Sequence, residues 1–388
     1  MSRTTRTAAT ALVAALALGL TACGSAGSSS GDELVIAAPL SMTGPAGSVG
    51  LDVKQGAELA IATVNKDGGV DGKKLKLVVE DTGGEPAQAV QLTTSFAKDK
   101  NVVAVLGPIN AAELGAVTGI AQSSKVVVFP PASSGAVPGV DAGKFNDWTF
   151  RLNQSIPLTV GPQMSKVLEE TGAKSVTILN YDDNAAYVDT GDRWADAAEE
   201  AGAKVQRLQF PSATQDYSSI VTKIDKSSDL IAIGALPATD AQLVRAIRQQ
   251  GIDTQLMGDS SMLSSEVYEG SRGASEGAYA YAAFLPGKSE ASTAFQEAFQ
   301  AKYDKQPTAL SAYGYEAVML MVEAAGDGKL TRDAIREGLS KLKDHEGITG
   351  VITYDGSGDA HRASVPLVQV GKDGVIAQVG DITPLESQ

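Results

Sequence analysis

The sequence predicts an α/β protein of two doubly wound, Rossmann-like lobes, each built on a parallel sheet. Three observations lead there. Short continuous apolar runs alternate with amphipathic helical stretches, the pattern of strands buried on both faces. The alternation comes in two series that divide near Arg151. Behind an N-terminal leader about 355 residues remain, room for two domains of ordinary size.

The first series opens with an apolar strand, Leu34 to Pro39. A helix follows, with Val53, Ala57, Ala60, Ile61 and Val64 on one face at helical spacing. Asp67-Gly68-Gly69 and Asp71-Gly72 punctuate a turn before strand Leu75 to Glu80. Helix Glu85 to Lys98, strand Val102 to Leu106, helix Ala112 to Ser123 and strand Val126 to Phe129 complete it. The second series runs helix Pro157 to Thr171, strand Ser175 to Tyr181, helix Val188 to Ala201 and strand Lys204 to Phe210. Helix Tyr217 to Lys226, strand Leu230 to Gly234, helix Thr239 to Gln250 and strand Gln255 to Gly258 follow. In the tail, strand Gly277 to Ala283 precedes helices Ser289 to Tyr303, Leu310 to Gly326 and Thr331 to Lys341. Strands Gly350 to Tyr354, Pro366 to Gly371 and Val375 to Val379 close the chain, and the tail is expected to complete the first two lobes rather than form a third.

Composition narrows the function. The chain is 43% apolar and carries −14 formally, or −16 without residues 1–22, which hold Arg3 and Arg6 and no acid. That charge disfavours nucleic acid and anionic lipid head groups as partners. One cysteine excludes an internal disulfide. Two histidines, His345 and His361, leave no Cys/His dyad and no multi-cysteine metal site, so neither metal nor cofactor is expected.

The N-terminus carries an export signal. Arg3 and Arg6 precede an apolar stretch from Ala8 to Leu20, too short at about 1.5 Å per residue to span a membrane core of roughly 30 Å. Leu20-Thr21-Ala22-Cys23 resembles a bacterial lipobox, which makes Cys23 the acylated first residue of the mature chain. The Gly/Ser-rich segment 23–32 reads as a flexible linker. The expected location is the extracytoplasmic face of the membrane, through the lipid anchor alone.

In open parallel sheets a ligand sits at the carboxyl ends of the strands. Two loops there have suitable chemistry. In Gly107-Pro108-Ile109-Asn110-Ala111-Ala112-Glu113, Asn110 is a good N-cap and Glu113 makes a box-like start, with open amides for an anion. In Pro130-Pro131-Ala132-Ser133-Ser134-Gly135, two hydroxyls stand beside free backbone donors. Catalytic motifs are weaker. Gly273-Ala274-Ser275-Glu276-Gly277 spells G-x-S-x-G, but its strand follows the serine instead of preceding it. His345-Glu346 lacks a second histidine, and Gly356-Ser357-Gly358-Asp359 reads as a turn. No enzyme is expected.

The order of these segments resembles the Leu/Ile/Val-type family of ABC-transporter substrate-binding proteins, with the type I periplasmic binding fold. The resemblance rests on Pro39-Leu40-Ser41-Met42-Thr43-Gly44-Pro45, on Gly56-Ala57-Glu58-Leu59-Ala60, and on residues 65–72, Asn-Lys-Asp-Gly-Gly-Val-Asp-Gly. Gly107-Pro108, Gln255-Leu256-Met257-Gly258 and Glu276-Gly277 add to it. It implies three crossovers, near Arg151-Leu152, Ala282-Ala283 and Asp355-Gly356. Lobe 1 would be 33–152 plus 283–355, and lobe 2 would be 153–282 plus 356–384. A monomer is implied, closing on a small-molecule ligand and delivering it to permease and ATPase subunits encoded elsewhere.

By the same resemblance, the loop residue that usually offers a hydroxyl to the ligand carboxylate is Ala111, flanked by Asn110 and Ala112. Ala132, Ser133 and Ser134 fall where the α-amino and α-carboxylate groups bind. The acid expected at the ammonium aligns with Ser260, and the neighbouring Asp259 would turn its side chain the other way. Val49, Leu236 and Leu310 occupy aromatic cleft positions, and Tyr187 stands in for a cleft tyrosine. These departures favour a small carboxylate with an apolar body as ligand, with a branched-chain amino acid as the alternative. A ligand sensor that presents to a membrane receptor is the other reading of the same fold.

Overall fold

The computed structural model describes residues 33–131, 147–153, 156–326, 329–354, 356 and 358–385. Its first series is strand β1 (Glu33–Leu40), helix α1 (Gly47–Lys66), β2 (Lys74–Asp81), α2 (Pro86–Lys98), β3 (Val102–Leu106), α3 (Ala111–Ser124) and β4 (Val127–Phe129). The four strands form one parallel sheet in the order β2-β1-β3-β4. The second series is α4 (Ile156–Thr171), β5 (Ser175–Tyr181), α5 (Ala185–Glu200), β6 (Lys204–Phe210), α6 (Ser218–Val221), β7 (Leu230–Gly234), α7 (Pro237–Gln249) and β8 (Gln255–Gly258). A 3-10 turn at Ser260–Leu263, α8 (Ser265–Gly270) and β9 (Tyr279–Tyr281) follow. The tail adds α9 (Glu290–Tyr303), α10 (Ala309–Ala324), α11 (Arg332–Ser340), β10 (His345–Gly347), β11 (Gly350–Tyr354), β12 (Ala360–His361), β13 (Val365–Val370) and β14 (Ile376–Ile382).

The second sheet has seven strands in the order β14-β13-β9-β8-β7-β5-β6. From β9 to β6 it is parallel, whereas β13 pairs antiparallel with both β9 and β14. The two parallel series follow the sequence reading, and the tail strands β13 and β14 add an antiparallel edge that an apolar run, reading the same in either direction, does not announce. The tail divides between the two sheets. Tyr313, Val318, Met321, Ile335, Leu339, Ile352 and Tyr354 join the core over the four-stranded sheet, while Leu367, Val368 and Val370 join the cores flanking the seven-stranded one.

Local chemistry explains several element limits. Asn184 caps α5 by accepting from the Ala186 amide, so the helix starts ahead of Val188 and takes Tyr187 into its first turn. Asn65 brackets Leu75 from both sides, accepting its amide and donating to its carbonyl, each at 2.8 Å, which fixes the glycine-rich turn before β2. At the crossing of α1 and α10 two glycines let the helices touch. A Cβ on Gly56 would lie 1.8 Å from the Ser311 carbonyl oxygen, and one on Gly314 would lie 2.1 Å from that of Val53. The Gly56-Ala57-Glu58-Leu59-Ala60 stretch is therefore a packing motif.

Segments that connect the sheets meet in a buried polar cluster. Arg151 Nε donates to Asp359 Oδ1 at 2.8 Å, a second guanidinium nitrogen reaches Oδ2, and both residues are buried. The Arg151 amide donates to the Gly358 carbonyl at 2.7 Å, and the Tyr354 hydroxyl donates to the Arg151 carbonyl at 3.1 Å. Arg362 donates to the carbonyls of Thr349 and Leu152. The Gly356-to-Asp359 stretch, read from sequence as a turn, is thus also one arm of an ion pair.

Candidate ligand-binding site

Because β1 to β4 are parallel, their carboxyl ends share one edge, carrying Ser41, Thr82, the 107–110 loop and Pro130. At that edge the Asn110 side chain accepts the Glu113 amide at 2.9 Å and caps α3, which begins at Ala111. The Glu113 carboxylate turns back to accept from the Asn110 side-chain amide and from the Ser41 hydroxyl, the latter at 3.1 Å. Ser41 also meets Thr82 at 3.2 Å. Glu113 is fully buried, so this polar knot fixes the capped turn from beneath. Ala111 and Ala112 are exposed on the first turn of α3, with the helix start facing outward. A second tie holds the neighbouring loop. Asp81 accepts from the Met42 amide, the Thr43 hydroxyl and the Gly83 amide at 2.7–2.8 Å, and the Thr43 hydroxyl foremost holds its carboxyl below the usual range. Val49 lies on the first turn of α1 and Leu310 on that of α10, both partly buried against the first core. Ala132, Ser133 and Ser134 lie outside the described residues.

The carboxyl ends of β5, β7, β8 and β9 present the opposite set. Leu236 is 45% exposed at the end of β7. Asp259, at the end of β8, is 6% exposed and N-caps the following turn by accepting the Ser261 amide at 2.7 Å. The Ser261 hydroxyl donates to Asp240 Oδ2 at 2.5 Å, so one serine bridges two carboxyl groups. Asp240 is fully buried and its other oxygen meets no partner. Burial first, and the nearby Asp259 charge second, push the Asp240 carboxyl well above the usual range; burial does the same to Asp259. No cation figures among the groups that shift either acid.

Tyrosines surround this acid pair. Burial and the charges of Asp259 and Asp240 push the Tyr187 hydroxyl up, and Tyr281 is pushed up by burial and Asp259 while Ser260 lies at its hydroxyl. Tyr187 stacks edge-on against Tyr181, with ring centres 5.4 Å apart, and Tyr181 donates to Thr239 at 2.6 Å. These phenols stay neutral and can donate, and the acids beside them accept when ionised. Such a wall can accept hydrogen bonds from a cationic donor. Asp240 and Tyr281 were not among the residues singled out from sequence. The available signal for Asp240 was an acid on the apolar stripe of α7, in register with Leu243, Val244 and Ile247.

Elsewhere the structure separates residues that a catalytic reading needs together. Ser275 is fully buried ahead of β9, at the amino end of the strand, and its hydroxyl meets no partner. His345 lies in β10, against Glu323, and His361 in β12. Among the described residues no group of three His, Cys, Asp or Glu could hold a metal. No described helix is long and apolar enough to cross a membrane.

Comparison with known proteins agrees with this architecture. Residues 33–374 match the family described as periplasmic binding protein. The leucine-, isoleucine-, valine-, threonine- and alanine-binding protein of Pseudomonas aeruginosa is 26% identical over 354 residues, 90% of this chain and 92% of that one. A substrate-binding protein of an ABC transporter from Desulfitobacterium hafniense, solved with Leu, superposes with a TM-score of 0.75 at 27% identity over 90% of this chain and all of that one. A solute-binding protein from Rhodopseudomonas palustris, solved with 3,4-dihydroxybenzoic acid, shares the fold with a TM-score of 0.78 at 17% identity, over 92% of this chain and 98% of that one.

Proposed function

The chain belongs to the periplasmic binding protein family, and from that premise we propose that it captures an α-amino acid with an apolar side chain and delivers it to an ABC importer. One observation carries the choice of ligand. Asp240 and Asp259 face each other through Ser261 in a buried wall with no paired cation, and an α-ammonium group supplies the missing charge. Two buried carboxylates left alone repel and desolvate at a cost of several kcal/mol. Asp259 is the member that a ligand can reach, with Tyr187 and Tyr281 beside it.

The ligand carboxylate is assigned to the open amides at Ala111 and Ala112 and to the 132–134 loop, and the apolar body to Val49, Leu236 and Leu310. Specificity would then come from both sheets, taken as lobe 1 (33–152 plus 283–355) and lobe 2 (153–282 plus 356–384). The core residues divide between the two sheets close to these limits, except that Ala360 packs in the first core and Leu285 in the second. Cys23 is the proposed acylation site, which places a monomeric body on the outer face of the membrane with permease and ATPase as partners and no catalytic role.

A second reading has its own observation. Ala111 offers no hydroxyl and the aligned acid position is Ser260, which suits an apolar carboxylate without an amine, the preference drawn from sequence. Calorimetric titration with leucine, isoleucine and valine against 4-methylpentanoate separates the two. Leucine is expected to bind at least about 100-fold tighter than its deaminated skeleton, the effect of leaving buried acids unpaired. Equal affinity for the two would reject the amino-acid reading and leave the carboxylate.

A further inference from the structure

The amino ends of β1 to β4 form the edge of the first sheet opposite the candidate site, and that edge is basic in an acidic protein. It carries Lys66 at the end of α1, Lys73, Lys74 and Lys76 at the start of β2, and Lys98 and Lys100 ahead of β3. Lys125 precedes β4, and Lys329 and Arg332 open α11. Apart from Lys73 and Arg332, which are partly buried, all are exposed. The described acids on the same edge are Glu33, which pairs with Lys76 at 3.7 Å, Asp67, Asp71, Asp99, Asp333 and Asp147, which pairs with Arg336, fewer than the cations.

Arg332 ties the edge together. It donates to the carbonyls of Ala97, Asp99, Val102 and Ser124, which fixes the Lys98, Lys100 and Lys125 backbones around α11. Beside it opens a cavity of about 500 Å³ lined by Leu34, Lys73, Lys100, Lys329 and Arg332, with Asp71 as its acid. The chain enters the folded body at this edge, through Glu33 paired with Lys74 in the first rung of the sheet.

We propose that this basic edge is a docking face for an anionic phospholipid surface, used while the body waits on its anchor. The inference rests on the acylation of Cys23 proposed above and goes beyond it. Ten residues, 23–32, separate Cys23 from Glu33, and an unstructured chain of that length spans about 17 Å root-mean-square, so acylation at Cys23 would tether the chain within that reach of the head groups at Glu33. In salt charge is felt over only roughly 8–10 Å, so the local excess of cations on this edge counts for more than the −14 of the whole chain. Held this way, the ligand edge points away from the membrane, and delivery requires the body to turn over on its linker.

The test uses the full lipidated chain on phosphatidylglycerol and on phosphatidylcholine vesicles, with lysine acetylation read by mass spectrometry. Lys74, Lys76, Lys100 and Lys329 are expected to be labelled at least about fivefold less on phosphatidylglycerol, the scale of one such charge at a membrane surface. Lys204 and Lys223, in the second series, serve as controls and should label equally on both. The triple variant Lys74→Glu, Lys100→Glu, Lys329→Glu should lose the protection at the remaining reporter Lys76 with an unchanged melting temperature. Uniform labelling on the two vesicle types would overturn the docking face. Failure of the anchor is read separately, from the mass at Cys23 and from attachment to phosphatidylcholine. An unacylated chain is scored on its partition to phosphatidylglycerol, where none overturns the proposal.

Discussion

Asp240 is the residue whose burial costs the unliganded protein most plainly. It is an acid in the apolar stripe of α7, bridged by Ser261 to a second acid and lacking a partner for one oxygen. Its carboxyl is raised in the folded chain, as is that of Asp259, so the folded state holds protons more tightly than the unfolded one. The resulting stability is fully present below the ordinary value of 3.8 and is lost as pH rises through the raised values. Thermal midpoints of the unliganded wild type minus those of Asp240→Asn should therefore fall steadily from about pH 4 towards neutrality. Saturating leucine should flatten that difference, because its ammonium supplies the missing charge. A difference independent of pH would mean that the acid is not titrating in the fold. From sequence the cap at Asn110 was legible, since Ser/Thr/Asn before an apolar period announces itself locally. The sequence reads Asp259 only as the neighbour of the aligned acid position, Ser260, with its side chain turned the other way. Its neighbours come from α7 and β9, and no spacing rule brings those together.

At the scale of elements, the α1–α10 crossing shows how a short motif encodes a distant contact. Gly56 and Gly314 lie in helices that the sequence predicts, but their complementarity appears only when the helices are laid together. Replacing Gly56 with Ala puts a methyl where the Ser311 carbonyl oxygen stands, 1.8 Å away. Helix propensity alone would favour alanine by up to about 1 kcal/mol. Overpacking against backbone outweighs it, and the expected net loss is about 1–3 kcal/mol by urea denaturation. A stabilised Gly56→Ala variant would show that the helices can part without cost. Strand direction is the complementary case. The strand that became β13 was anticipated, but its antiparallel pairing was not, because direction is set by the connection and not by the apolar run.

For the whole molecule, Arg151 and Asp359 matter most among the connecting residues. They lie 208 positions apart and form a buried bidentate pair where the chain passes between its two sheets. Removing one partner breaks a buried bidentate ion pair, so Arg151→Met or Asp359→Asn is each expected to cost about 3–5 kcal/mol. The double variant should cost clearly less than the two together, and strict additivity in the denaturation cycle would show that the pair does not act as one unit. The two-series architecture was visible in the sequence because alternation is a local signal repeated along the chain. The pairing of Arg151 with Asp359 was not, since both residues look like ordinary turn and surface positions until the fold closes.

The crossing of α1 with α10 also sets an order in time. The sheet begun at Glu33 cannot receive its covering helix until residue 324 exists. At about 5–20 residues per second of synthesis, the interval between the end of β4 and the end of α10 lasts roughly ten to forty seconds. During it β1 to β4 have one another and α1 to α3 as partners but lack α10, so the first core is incomplete. For a member of a periplasmic family, late closure of the first sheet would leave the chain open to export until α10 is made.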